Sequence, residues 1–234
     1  MCRASAYRAI GQNEVVDLED LRVAVYRSFA HTGRPPEVGT LAERFGTSRN
    51  AVVDGLRELA RARHVVLDSD DRIVMAHPFA AIPLGFSVMG TSTLWWGGCA
   101  WDSFALPHLL PEQSPALVAT SCPGCGRAHA WSVGTDAPPV GQQVVHFLVP
   151  AAHIWDDVVH TCSHQSVFCS TRCVDEWLER SGHERGYVMD LAMLWRLARH
   201  WYSGRLDYGY ARREPSEASD YFRHVGLSGP FWGL

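Results

Sequence analysis

Two close pairs of cysteines limit most strongly how this chain can fold. They are Cys122 and Cys125, in "CPGCG", and Cys169 and Cys173, in "FCSTRC". Two such pairs, a few dozen residues apart, are the usual layout of a closed four-thiolate zinc site. The sequence therefore predicts a structural Zn²⁺ that fastens the two segments together. Reduced, buried cysteines are one alternative, and a site in which His129 or His164 replaces one thiolate is another.

The sequence predicts that these thiols are in a reducing environment. The chain has 234 residues, of which 47% are hydrophobic and 20% charged, as in an ordinary soluble globular protein. The first residues lack the apolar core of a signal peptide, and no apolar run reaches membrane-spanning length. We therefore expect a cytoplasmic protein without a membrane partner, in which the seven cysteines are metal ligands or catalytic thiols rather than disulfides.

The first third of the chain has the pattern of a winged helix-turn-helix, with three helices followed by a hairpin over about residues 17–80. Apolar residues at helical spacing predict the first helix: Leu18, Leu21, Val25 and Phe29. "DSDD" is a turn between two runs of β-branched residues. The predicted fold class is α+β. A winged-helix-like unit (1–80) packs on a catalytic unit (81–234) of short, mixed or antiparallel strands with flanking helices.

Charge argues against a nucleic-acid partner for this unit. Residues 36–80 contain six arginines against seven acidic residues, and the wing carries three aspartates where a phosphate-facing hairpin usually carries lysine or arginine. The net charge of −4 also gives the whole molecule no attraction for polyanions. Near the other end, "YVMDLAMLWRLARHWYSGRL" has helical spacing through Trp201, and the aromatic tail is predicted to dock on the core.

Once the four predicted zinc ligands and Cys2 are set aside, two thiols remain, and one of them lies close to an acid in the sequence: the three residues are Cys99, Asp102 and Cys162. A spacing of three places Cys99 and Asp102 on one face if both lie on the first turn of a helix, where they could share a proton. The alternative is a buried cysteine beside a helix-capping aspartate. Thiolates select soft metal ions. A dithiolate on mercury with a carboxylic acid beside it is an arrangement that breaks a carbon–mercury bond.

The chain resembles the organomercurial (alkylmercury) lyase family over about residues 18–180. "WGGCAWDSFALPHLL" is similar to the family's Cys-x-x-Asp segment, and "VVHTCSHQSVFCSTRCVDEWL" is similar to its second catalytic segment. The resemblance implies that Cys99 and Cys162 bind the mercury of the substrate and that Asp102 donates the proton. It implies no organic cofactor, and it implies cellular thiols as the partners that remove the product. "CPGCG" and the extra cysteines of "FCSTRC" depart from the family pattern and indicate a zinc-containing branch.

The predicted function is that of an enzyme, a carbon–mercury lyase that converts an organomercurial to a hydrocarbon and Hg(II) and so serves mercury resistance. One alternative is an enzyme on the same scaffold that acts on another substrate, for example in secondary metabolism. A second alternative is a metal-responsive winged-helix regulator, for which Asp102 would be dispensable. Trp95, Trp96 and Trp101 are candidates for an apolar substrate pocket or for the core.

Overall fold

Residues 15–234 are described by the computed structural model. Over these residues the chain forms an α+β structure of eight α-helices and two antiparallel sheets, as predicted. The helices are α1 (Leu18–Thr32), α2 (Val38–Phe45), α3 (Arg49–Arg61), α4 (Ala100–Leu109), α5 (Val158–Ser163), α6 (Thr171–Ser181), α7 (Leu191–Arg199) and α8 (Pro215–Val225). The strands are β1 (Val66–Leu67), β2 (Ile73–Ala76), β3 (Phe79–Ala80), β4 (Phe86–Met89), β5 (Leu94–Gly97), β6 (Ala116–Ser121), β7 (Ala128–Val133), β8 (Val144–Phe147), β9 (Gln165–Phe168) and β10 (Tyr187–Asp190).

The first three helices lie where the apolar spacing predicts them. The Asp17 side chain accepts a hydrogen bond from the backbone of Asp20 at the start of α1, and Ser48 caps α3 in the same way. Hairpin β1–β2 follows. Its Asp71 binds Arg57 of α3 through two hydrogen bonds of 2.7 and 2.9 Å, which neutralises the charge of that arginine. The identity of this unit as a winged helix stays a prediction.

The larger sheet joins the two predicted units. Its strand order is β1-β2-β3-β5-β4-β6-β7, so the N-terminal hairpin extends the sheet of the following segment. One core cluster also runs from Val16 to Trp232. The division into 1–80 and 81–234 therefore falls between two strands of one sheet, after β3, and this division into two units stays a prediction. A second sheet has the order β10-β8-β9.

One local difference from the sequence pattern concerns the segment before α7. "YVMD" is strand β10, in which Tyr187 pairs with Phe147 of β8, and not the first turn of a helix. The Asp190 carboxylate accepts a hydrogen bond of 2.6 Å from the backbone of Met193 and so starts the helix one residue after the strand. Helix α7 ends at Arg199, which leaves Trp201 outside it. The aromatic tail docks on the core, as predicted, and Trp232 is buried.

Helix α1 is fixed to the sheet at its C-terminal end. Trp95 of β5 donates a hydrogen bond of 2.8 Å to the carbonyl oxygen of Phe29. Gly33 ends the helix with φ +72° and lies so close to β5 that a Cβ atom there would overlap the carbonyl oxygen of Leu94. Gly46 ends α2 with a similar φ of +62°, but a Cβ atom there would meet nothing within 4 Å.

We expect Gly33→Ala to destabilise the protein by about 3 kcal/mol, because positive φ and overlap with the backbone add together. Gly46→Ala is the matched control and should lose only about 1 kcal/mol, since it carries the backbone strain alone. Urea denaturation followed by circular dichroism would measure both free energies of unfolding. Equal losses in the two variants would show that α1 does not depend on this close approach.

Candidate active site

The "GGC" turn between β5 and α4 positions the first two candidate residues. Cys99 is the N-cap residue of α4, and its sulfur accepts a hydrogen bond of 3.4 Å from the backbone N–H of Asp102. Both side chains are buried. A Cβ atom on Gly98 would overlap the Asp102 carboxylate, so glycine is required for the carboxylate to lie here. The spacing of three thus places thiol and carboxylate at the first turn of a helix, as predicted.

Cys162 reaches the same place from helix α5. Its sulfur lies 4.0 Å from Oδ2 of Asp102 and 3.4 Å from Nε2 of His77, and it is buried. The structure therefore brings together all three residues that the sequence singles out, although 60 positions separate Cys162 from Asp102. No covalent bond joins the thiols, since Cys99 and Cys162 are free cysteines.

The two thiols have opposite tendencies to ionise. A hydrogen bond from Cys99, supported by His77, lowers the pKa of the Cys162 thiol. Burial, Cys162 and Asp102 raise the pKa of the Cys99 thiol well above its ordinary value. Cys162 is therefore the thiol of the pair that ionises first, and Cys99 is the one that retains its proton.

Two further side chains complete the site, and neither has a local sequence signal. Tyr202 is buried and donates a hydrogen bond of 2.5 Å to Oδ1 of Asp102. Burial and the neighbouring Asp102 and Cys99 raise the pKa of Tyr202 well above its ordinary value, so its hydroxyl stays a donor. His77 follows strand β2. Burial disfavours its charged form, but the opposing effects of Cys162 and Asp102 are larger together and raise the pKa of His77.

We expect His77→Gln to raise the pKa of the Cys162 thiol, because the variant removes an ionisable group and a hydrogen bond that both favour the thiolate. At pH 7 the alkylation of Cys162 by iodoacetamide should slow by roughly tenfold, and its pH profile should move to higher pH. Peptide mapping by mass spectrometry would follow Cys162 separately from the other cysteines. His31→Gln, a change at an exposed histidine of α1, is the control. An unchanged profile in His77→Gln would show that Cys99 alone sets the ionisation of Cys162.

The reactive groups line a cavity of about 630 Å³. Cys99, Asp102 and Cys162 line it together with His77 and Tyr202. Its apolar wall is aromatic and includes, besides two residues of the tail, Trp101, Trp155 and Trp201. Of the three tryptophans considered in the sequence, only Trp101 therefore lines the cavity. Trp95 lies in the core beneath α1, and Trp96 is 40% exposed on the sheet.

The second group of thiols forms a separate cluster. The sulfurs of Cys122, Cys125, Cys169 and Cys173 all lie within 4.8 Å of one another, so the cluster could hold a metal ion. The β6–β7 turn approaches helix α6 so closely that a Cβ atom on Gly124 would overlap the backbone of Cys173. This approach explains the glycine of "CPGCG" and joins the large sheet to α6.

The thiols of this cluster are close enough to shift one another's pKa values. A hydrogen bond from the backbone of Arg127, followed by contacts with other thiols, lowers the pKa of Cys125 to about 7. Burial and the neighbouring thiols raise the pKa of Cys169 to about 12. Of the histidines considered as alternative ligands, Nε2 of His129 lies 3.4 Å from the Cys169 sulfur, whereas His164 bonds to Ser163 and to the carbonyl of His160.

Comparison with known proteins identifies the family of the chain. Residues 79–203, more than half of the chain, match the family model described as MerB, alkylmercury lyase. The chain belongs to the alkylmercury lyase family. The matched segment contains both thiols of the site, Asp102 and Tyr202. His77 and Arg205 lie just outside its two ends.

The fold is also similar to that of a solved structure. The chain is similar to the protein in "Crystal structure of the mercury-bound form of MerB2", with a TM-score of 0.59 and 18% sequence identity. The similarity covers 81% of this chain and 98% of that one. No curated protein matches the chain in sequence. Among residues 15–234, none of the helices has the length and apolar character needed to cross a membrane.

Proposed function

We propose that this member of the family cleaves carbon–mercury bonds by protonolysis, releasing a hydrocarbon and Hg(II). The observation that carries the proposal is the convergence of Cys99, Asp102 and Cys162 in the wall of one cavity. Two thiols supply the linear, soft coordination that mercury prefers, and a carboxyl group beside them can hold the proton that carbon needs.

The reaction begins at Cys162, which is the more readily ionised thiol. Its thiolate attacks the mercury of an organomercury thiolate, R–Hg–SR′, and the bond to the leaving thiolate breaks. The Asp102 carboxylate then takes the proton of Cys99, whose sulfur forms the second bond to mercury. Electron donation by two sulfurs makes the metal-bound carbon more basic. Protonated Asp102 gives its proton to that carbon, the carbon–mercury bond breaks and R–H leaves.

Tyr202 orients Asp102, and cellular thiols remove the product. Tyr202 holds Oδ1 of the carboxylate and leaves Oδ2 directed at Cys162. The remaining product is Hg(II) bound by Cys99 and Cys162, which two cellular thiols remove by exchange. We place the reaction in the cytoplasm, where such thiols are abundant and reduced.

The direct test is release of hydrocarbon. Purified protein would be incubated with phenylmercury and an excess of 2-mercaptoethanol, and benzene would be measured by gas chromatography. We expect benzene in catalytic amounts. Folded protein that releases none would overturn the proposal and favour an enzyme acting on another bond.

We also propose that the four-cysteine cluster binds a structural Zn²⁺. The close approach of four sulfurs from two chain segments supports a tetrahedral site, and a dication would balance the thiolates that now oppose one another's ionisation. Cys122 and Cys125 come from the β6–β7 turn, and the other two ligands come from the start of α6. The metal would supply a cross-link here and take no part in the reaction.

A further inference from the structure

Four arginines line the cavity without carboxylate partners. They are Arg63, Arg205, Arg212 and Arg213. Elsewhere in residues 15–234, seven arginines form ion pairs: Arg22, Arg57, Arg61, Arg72, Arg172, Arg185 and Arg223. None of the four cavity arginines is within ion-pair distance of an acidic residue in this part of the chain. Four of the twelve arginines without an ion pair in this part of the chain therefore line one cavity.

Arg205 is the most constrained of the four. It is only 3% exposed, and its guanidinium donates hydrogen bonds to the hydroxyls of Tyr26 and Tyr210, at 3.1 and 2.9 Å. It also lies over three tyrosine rings, at 4.8 to 5.5 Å from their centroids. A buried charge without a counter-ion is costly. Its neutral partners hold the group in place without neutralising its charge, and the residue lines the cavity.

The effect of this charge is visible in the neighbouring groups. Burial and the nearby Arg205 lower the pKa of Arg212. Burial, Arg205 and Arg22 lower the pKa of His64 to about 4. At these two positions the charge of Arg205 adds to burial in disfavouring a second cation.

The outer arginines are held in fixed orientations. Arg212 stacks on Trp155 at 4.4 Å and donates a hydrogen bond of 2.8 Å to the carbonyl of Arg63. Arg213 stacks on Tyr221 at 4.8 Å and bonds to the carbonyl of His200. Stacking and backbone contacts of this kind preorganise guanidinium groups for carboxylate recognition.

Three acidic residues also line the cavity, but they do not neutralise these arginines. Asp102 is held by Tyr202. Asp156 contacts His153 at 2.8 Å, and Glu214 is exposed at the start of α8. The cavity is also far larger than a one-carbon organomercurial needs.

We propose that the four arginines form a subsite for a carboxylate carried by the substrate. The inference rests on the proposed lyase function and adds the class of substrate. The carboxylate can have two sources, the organic group attached to mercury or the thiol that occupies the other mercury bond. In both cases Cys99 and Cys162 bind the mercury, and the arginines bind the carboxylate of the same molecule.

The test compares matched substrates. Phenylmercury, 4-carboxyphenylmercury and the methyl ester of the latter would each be offered with 2-mercaptoethanol or with 3-mercaptopropionate. We expect a carboxylate to raise kcat/KM by about tenfold over its neutral counterpart. An advantage seen only with the carboxyphenyl substrate assigns the subsite to the organic group, and one seen only with 3-mercaptopropionate assigns it to the thiol.

Variants test whether the arginines cause the preference for a carboxylate. Arg212→Gln and Arg213→Gln should each reduce the charged-to-neutral ratio of kcat/KM by severalfold. Arg223→Gln, which removes an equal charge from the exposed face of α8, should leave that ratio unchanged. Equal kcat/KM for charged and neutral substrates in the unmodified protein would overturn the subsite while leaving the lyase function intact.

A binding measurement separates the two proposals. Quenching of tryptophan fluorescence by 4-carboxyphenylmercury and by its methyl ester needs no turnover, because Trp155 and Trp201 line the cavity. If no hydrocarbon forms but the carboxylate still binds more tightly, the lyase function fails and the subsite stands. Equal affinity for both compounds without turnover would overturn the subsite as well.

Discussion

Asp102→Asn should lower hydrocarbon release by about 10²- to 10⁴-fold, the usual contribution of a general acid. The amide has the shape of the carboxyl group and can still accept the hydrogen bond from Tyr202, so the side chain should keep its place. It cannot take the proton of Cys99 or give one to carbon. The variant should therefore bind the organomercurial and retain it with the carbon–mercury bond intact.

Single-turnover experiments would measure this effect. Labelled phenylmercury, mixed with an excess of the variant, should remain protein-bound as the intact phenyl compound, as determined by mass spectrometry. Asp136→Asn, at an exposed loop, is the control and should show unchanged activity. Activity within about twofold of the unmodified protein in Asp102→Asn would assign the proton to another group, and His77, which contacts Cys162, would be examined next.

Cys122→Ser should remove the bound zinc and lower the free energy of unfolding by about 4 kcal/mol or more, as expected for loss of a structural metal. Cys122 is 1% exposed, and its sulfur also accepts a hydrogen bond of 3.4 Å from the backbone of Cys169. The small core around it contains Phe168, Val174 and Leu178 and packs α6 against β9. A short core of this kind depends on a cross-link, because little apolar area is buried there.

Elemental analysis and chemical denaturation would test this second result together. The unmodified protein should contain one zinc per chain, and Cys122→Ser should contain well below one. Cys99→Ser is the matched control, since it changes a buried thiol in the other group and should retain its zinc. If the unmodified protein contains no metal and Cys122→Ser leaves its stability unchanged, the zinc site is wrong. The four residues are then ordinary reduced cysteines.

The parts of the molecule that follow from local chemistry could be predicted from the sequence. Apolar spacing and caps locate α1 to α3, since each depends on residues within one or two turns. The spacing of Cys99 and Asp102 predicts their shared helical turn for the same reason. The two cysteine pairs predict a contact across 44 positions, because two pairs with this spacing usually bind one metal ion.

The remaining features depend on contacts that no local pattern encodes. His77 reaches Cys162 across 85 positions, and Tyr202 reaches Asp102 across 100. A lone histidine after a strand and a lone tyrosine after a helix have many possible roles. The continuity of the sheet past residue 80 is likewise a property of strand pairing, and β10 is extended because β8 offers it an edge.

The unequal exposure of the two thiol groups has a consequence for the lifetime of the protein. Cys99 and Cys162 are buried in the wall of a cavity, whereas Cys125 lies at the surface and Cys169 and Cys173 are half-buried. Thiolates hold mercury more strongly than zinc. With zinc bound there as proposed, Hg(II) product that escapes into solution would attack the cross-link between the β6–β7 turn and α6. Under the proposed function, small thiols that capture Hg(II) would therefore both free the site for another turnover and protect this cross-link.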